Sequence, residues 1–199
     1  MCMALFPFFI NIEGKEGLIV GTGKHAQEKI ERLMPFKPKL CVIPEGQFSE
    51  KDLDTLPAFV IAAGEDAEEN HRIAEICREK RILVNVVDDQ EYCDFIFPSL
   101  IQHGNLTVGI CTNGASPATG VLLKRKFEEQ IPDNIEEILD FLQKVRPEIS
   151  KALTDKKQRF KFYYKLSQIC MDENRALTEE EFRGCLLWHV QSAKKKLQE

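Results

Sequence analysis

Two short stretches of the chain hold residues whose types and order could do chemistry. In "GLIVGTGKHAQEKIERLM" the series Gly21-x-Gly23-x-x-Ala26 lies between a β-type run, Leu18 to Val20, and a helical pattern. The first glycine permits a tight turn and the second lets the main chain approach a pyrophosphate. The small third residue lets helix and strand pack closely. The helix amino terminus then offers N–H groups and a partial positive charge to phosphates. Gly21, Thr22, Gly23, Lys24 and His25 are therefore expected to cradle a dinucleotide. In "NVVDDQEYCDFIFPSLI" the adjacent Asp88 and Asp89 follow an apolar run that ends at Val87. Carboxylates at the C-terminal end of a parallel strand lie in the crevice where such sheets bind ligands. Asp88 is expected to point into that crevice as a general base, and Asp89 to cap the turn "DDQEYC".

Other candidates are less sharply marked. Glu45, with Gly46 beside it, is the one acidic residue near the end of the run "KLCVI". It either meets a ribose hydroxyl or is a solvated side chain. Ala63, at the end of "AFVIAAG", is expected to line the cofactor. The stretch "VIPEGQ" has no Arg or Lys to receive a 2′-phosphate, which favours NAD. The histidines at 25, 71, 103 and 189 show no i, i+4 pairing, so no metal cage is expected. His71 reads as an exposed helix residue and His103 as part of a hairpin tip. The run 144–165 holds eight Lys or Arg against two acids, within a chain of net charge −5. It is a solvated helix face or a field for a polyanionic ligand.

These residues need elements to hold them. Strand-like runs "GLIV", "PKLCVI", "AFVIAAG" and "ILVNVV" alternate with helical segments at βαβ spacing, which predicts a parallel sheet. "SEKDLDTL" is long enough for only a short helix. "DFIFPSLIQ", "HGN" and "LTVGICT" read as a hairpin whose added antiparallel strands extend or leave the sheet. From Ser116 the chain is helical, with Ser as cap and Pro117 at the first helical position. Pro132 is expected to end that helix and Pro147 to punctuate the next. The predicted fold class is α/β, Rossmann-like, with added antiparallel strands and a helical tail. Its parts are a dinucleotide-binding domain over 1–112, a helical region over 113–145 and a helical domain over 146–199.

Composition narrows the partners. The acidic balance argues against a nucleic-acid binder. The apolar opening "MCMALFPFFI" is too short to span a bilayer and reads as an edge strand or covering segment. Seven scattered cysteines without C-x-x-C spacing suit a reducing, cytoplasmic setting.

"LFPFFINIEGKEGLIVGTGKHAQEKIERL", followed by "ILVNVVDDQEYCDFIFPSLIQHGNLTVGICTNGASPATGVLLKRKFE", resembles the precorrin-2 dehydrogenase family and the amino-terminal half of siroheme synthases. The resemblance covers about residues 5–145. It implies oxidation of precorrin-2 to sirohydrochlorin with hydride passing to NAD. The family's essential aspartate, last residue of N-V-V-D, falls on Asp88. Some members also insert ferrous iron with the same aspartate. A chelatase, bifunctional or alone, and a non-catalytic dinucleotide- or tetrapyrrole-binding protein are therefore the alternatives. The family's homodimer region falls on about 113–145. Its polycarboxylate tetrapyrrole gives Asn85, Ser116, Lys124 and Arg125 an expected place as substrate contacts. The turn GTGKHA replaces the family's usual three glycines, the segment between "LCVIPE" and "FVIAAG" is short, and Gly64 stands where Thr or Asn is more usual.

Overall fold

Four short apolar runs form a parallel sheet: β1 (Glu16–Val20), β2 (Lys39–Ile43), β3 (Phe59–Ala62) and β4 (Leu83–Val86). Their order is β2-β1-β3-β4. The chain runs outward from β1 to β2 and then returns to place β3 on the other side of β1. The switch point therefore lies between β1 and β3, where open α/β sheets bind ligands. The computed structural model describes residues 5–195. Cys2 and the first residues of the apolar opening lie outside that range.

Helix α1 (Lys24–Leu33) follows β1, and α2 (Ala67–Glu79) joins β3 to β4. Side chains alternate across the sheet. Leu18, Val20, Val60, Ala62, Val84 and Val86 face Leu53 and the α2 residues Ile73, Ala74 and Cys77. On the opposite face Ile19, Phe59 and Ile61 meet Ala26, Ile30 and Leu33 of α1. Asp66 caps α2 by accepting from the N–H groups of Glu68 and Glu69. The short segment "SEKDLDTL" makes one 3-10 turn, Glu50–Leu53, closed by a capping box of Ser49 and Asp52.

The edge of β4 is covered by the chain that follows it. Asp94 accepts from the Val84 N–H through its carboxylate and donates its own N–H to the Val84 carbonyl. Residues 5–10 form no strand, and Phe6, Phe8 and Phe9 are 74–78% exposed. The expectation of an edge strand is thus not met among the described residues: no strand pairs on the outer side of β2, and the outer side of β4 is taken by Asp94.

The hairpin forms as expected from β5 (Ser99–His103) and β6 (Leu106–Ile110), with His103 ending its first strand and Gly104 and Asn105 at the tip. It does not extend the parallel sheet. The pair is a separate two-stranded sheet packed on α3 (Pro117–Glu128), so the chain divides into compact units between Phe97 and Pro98 rather than after residue 112. Ser116 caps α3, accepting from the Thr119 N–H. The second unit continues with α4 (Ile135–Ala152), α5 (Lys156–Asp172) and α6 (Glu179–Lys195). Ile138, Val145, Ile149, Phe162, Leu166, Cys170, Phe182 and Leu186 make its core. Pro147 does not end a helix: it sits inside α4. The buried stripe Ile138, Val145 and Ile149 carries the helix across the missing N–H, against the local cost of proline.

Candidate functional site

A cleft of about 740 Å³ opens over the C-terminal ends of the parallel strands. Thr22, Gly23, Lys24 and His25 line it after β1, Glu45 after β2, Ala63, Gly64 and Glu65 after β3, and Val86 to Asp89 at and beyond the end of β4. Asn70 and His71 of α2 complete the wall. One crevice thus gathers the predicted turn, Glu45, Ala63 and Asp88.

The two glycines of the turn do different work. Gly21 has φ 120, and a Cβ there would stand 2.5 Å from the Ala63 carbonyl oxygen. It lets the ends of β1 and β3 close on each other. Gly23 caps α1 with φ −70, and nothing lies within 4 Å of where its Cβ would be. That empty space is on the cleft side of a helix amino terminus whose first turn carries no acid. Free N–H groups and the helix dipole there suit a pyrophosphate. The residues present fit a dinucleotide. Ala26 is fully buried, as close helix–strand packing requires.

Glu45 is not simply solvated. Its Oε1 accepts from the backbone N–H groups of Glu65 and, at 3.0 Å, Asp66, which leaves Oε2 outside that pair of bonds. Gly64 makes room for this: a Cβ on it would lie 3.0 Å from Glu45 Oε1 and 3.3 Å from Asn70 Oδ1. Asn70 in turn bonds both polar atoms of Gly64, with N–H to Oδ1 at 3.1 Å and Nδ2 to the carbonyl at 2.8 Å. Gly46 does not line the cleft wall as Glu45 does; its N–H donates to Glu69 Oε2 at 3.3 Å.

Asp88 follows β4 in the left-handed region, φ 62. Its carboxylate is 84% exposed and stands 4.0 Å from His25 Nε2. It lines the cleft and is open to solvent. Asp89 caps the following 3-10 turn through Oδ1, accepting from the Glu91 N–H at 3.1 Å. Its Oδ2 meets His71 Nε2 at 2.8 Å. His71 is therefore not the exposed helix residue its sequence position suggests.

Cys93 ties this turn to the sheet. Its thiol donates toward the carbonyls of Val86 and Asp89 at 3.2 Å and receives the Val86 N–H at 3.2 Å. Burial pushes that thiol above its ordinary pKa, so it stays a neutral donor. Lys29, half-buried and 4.4 Å above the Phe97 ring, has its ammonium pKa lowered by desolvation and then by Arg32, an effect that the charge of Asp88 opposes.

Of the expected substrate contacts, Asn85 is not among the residues that line the cleft. Asn85 is buried in β4, donating from Nδ2 to the Phe95 carbonyl at 2.9 Å, with no partner at its Oδ1. Its amide holds the chain after β4 against the strand. Ser116, Lys124 and Arg125 belong to the second unit, the first as the α3 cap and the others along that helix. Asn70, Tyr92 and Cys93 escaped sequence reasoning. Asn70 left one trace: it shares a helix face with Ile73, Ala74 and Cys77, a polar residue at the head of an apolar stripe.

Fold and crevice together define a dinucleotide-binding α/β domain. Residues 8–99 match the family described as putative NAD(P)-binding. The siroheme synthase of Buchnera aphidicola subsp. Acyrthosiphon pisum is 32% identical over 182 residues, 82% of this chain and 38% of that protein. That of Thioalkalivibrio sulfidiphilus is 30% identical over 184 residues, 82% of this chain and 37% of its own. The solved structure of SirC, a precorrin-2 dehydrogenase, superposes with a TM-score of 0.62 at 19% identity, covering 94% of this chain and all of that one. Residues 8–99 thus carry a putative NAD(P)-binding domain, and the chain is similar to the siroheme synthases over about four fifths of its length. It spans under two fifths of the length of these siroheme synthases.

Proposed function

We propose that the chain oxidises precorrin-2 to sirohydrochlorin with NAD as hydride acceptor, and that Asp88 takes the proton released. The observation that carries this reading is the meeting of Asp88 with the Gly23 helix terminus in one cleft. When bound, the nicotinamide supplies the hydride-accepting carbon. Everything else falls to the protein. The α1 terminus and Gly23 receive the pyrophosphate, and Glu45, held by two amides, offers Oε2 to a ribose hydroxyl. A carboxylate in that position repels a 2′-phosphate, which supports NAD over NADP. Asp88 accepts a proton from the macrocycle as the hydride leaves, and its exposure lets it pass that proton to water.

Lys124 and Arg125, with the basic run 144–165, suit the carboxylates of a tetrapyrrole, and exposed Val121, Leu122 and Phe127 on α3 suit a homodimer through 113–145. Anaerobic incubation of the purified chain with precorrin-2 and NAD tests the reading. Sirohydrochlorin absorption should rise together with NADH. Absence of NADH formation in a folded, NAD-binding preparation overturns it.

A further inference from the structure

His71 has no part in the scheme above, yet it is held on several sides. Its Nε2 lies 2.8 Å from Asp89 Oδ2. An ionised carboxylate only accepts, so Nε2 carries the proton and the imidazole donates. The ring stacks on Tyr92 with centroids 3.8 Å apart and planes 6° from parallel. Arg78, two turns further along the same face of α2, stands 5.4 Å from the Tyr92 ring and donates to the Glu91 carbonyl at 2.9 Å. Helix α2 thus grips residues 89–92 through two side chains.

That grip begins one residue after Asp88. A left-handed φ of 62 is uncommon for a residue with a Cβ and needs support from its surroundings. The Asp88 side chain supplies little, being 84% exposed with His25 at 4.0 Å. The support comes from its neighbour: Asp89 is fixed by His71 on one oxygen and by the Glu91 N–H on the other.

We infer that His71 is a positioning residue for Asp88, acting through Asp89: the imidazole–carboxylate bond clips α2 to the turn that carries the proton acceptor. The role rests on the reading of Asp88 as that acceptor. Two variants separate the bond from mere bulk. His71→Leu keeps an apolar surface against Tyr92 but has no donor, whereas His71→Gln keeps an N–H. His71→Leu should lower kcat roughly 10-fold, about what one charge-assisted hydrogen bond carries, and leave the Kd for NAD within about twofold. His71→Gln should recover most of the loss. Placed in an Asp88→Asn background, His71→Leu should cost nothing further, because its effect passes only through Asp88.

Losses that add in the double variant overturn the inference, since His71 would then act on its own. An unchanged kcat in His71→Leu overturns it too. Amide hydrogen exchange over residues 87–92, read without substrate, tests the clip independently of turnover. Faster exchange in His71→Leu beside an inactive wild-type chain supports the clip and sinks the dehydrogenase reading instead. Unchanged exchange overturns the clip whatever the activity.

Discussion

Gly21 sits at φ 120 with its absent Cβ 2.5 Å from the Ala63 carbonyl, whereas Gly23 has φ −70 and open space around it. The two positions should answer differently to substitution. Gly21→Ala meets backbone in a strained conformation and should lose at least about 1–2 kcal/mol of stability, read from urea unfolding. Gly23→Val should fold normally and lose NAD, because its side chain fills the approach to the pyrophosphate. Calorimetric titration showing wild-type NAD affinity in folded Gly23→Val would remove the phosphate-cradle assignment. Asp88 and Asp89 divide in a similar way. General base catalysis contributes roughly 10²–10⁴-fold, so Asp88→Asn should turn over at least about 100-fold more slowly while still binding NAD. Asp89→Asn keeps the oxygen that caps the turn and should lose far less. Equal activity of the two variants, or greater sensitivity at Asp89, would move the base elsewhere.

Elements carry their own titration. Cys77 is fully buried where α2 meets the sheet, and burial, aided by the charge of Asp94, pushes its thiol up to about 12. The unfolded chain releases that proton near the ordinary thiol value of 9.0, while the folded chain retains it. The resulting stability is complete below pH 9 and is lost as pH rises toward about 12. Urea midpoints taken at pH 8.5 and about 11 should therefore fall more steeply in the wild-type chain than in Cys77→Ala; equal slopes would mean the thiol is not protected by α2. How such elements were legible varies. The βαβ rhythm and the glycine turn could be read because they depend on neighbours within one element. Whether the hairpin extends or leaves the sheet stayed open, since it is decided by packing on α3, across a stretch with no local signal. Glu45 was ambiguous because its partners, the N–H groups of Glu65 and Asp66, arrive from the far side of β3. His71 was misread for the same reason: its carboxylate comes from beyond β4. Pro147 misled because a local rule was outweighed by the buried stripe of α4.

At the scale of the whole molecule, α3 leaves Val121, Leu122 and Phe127 between 46% and 53% exposed. An apolar set of that kind, on the segment 113–145, should be covered by a second copy. Sedimentation at micromolar concentration should show a dimer, and Leu122→Glu should shift it toward monomer. A wild-type monomer there would remove the assembly. Among the described residues no helix is long and apolar enough to cross a membrane. The strand order β2-β1-β3-β4 has a further consequence, for the time the chain takes to fold. β1 gains nothing until β2 and β3 reach it from across whole intervening segments, and such closures are entropically slow. Helices α4 to α6 need only meet their neighbours in the chain. Trp188, the single tryptophan, lies in α6 and reports on that half alone. On dilution from denaturant its fluorescence should recover before the amides of β1 and β3 become protected, whereas one shared rate for both signals would mean that the slow strands set the pace for the helices as well.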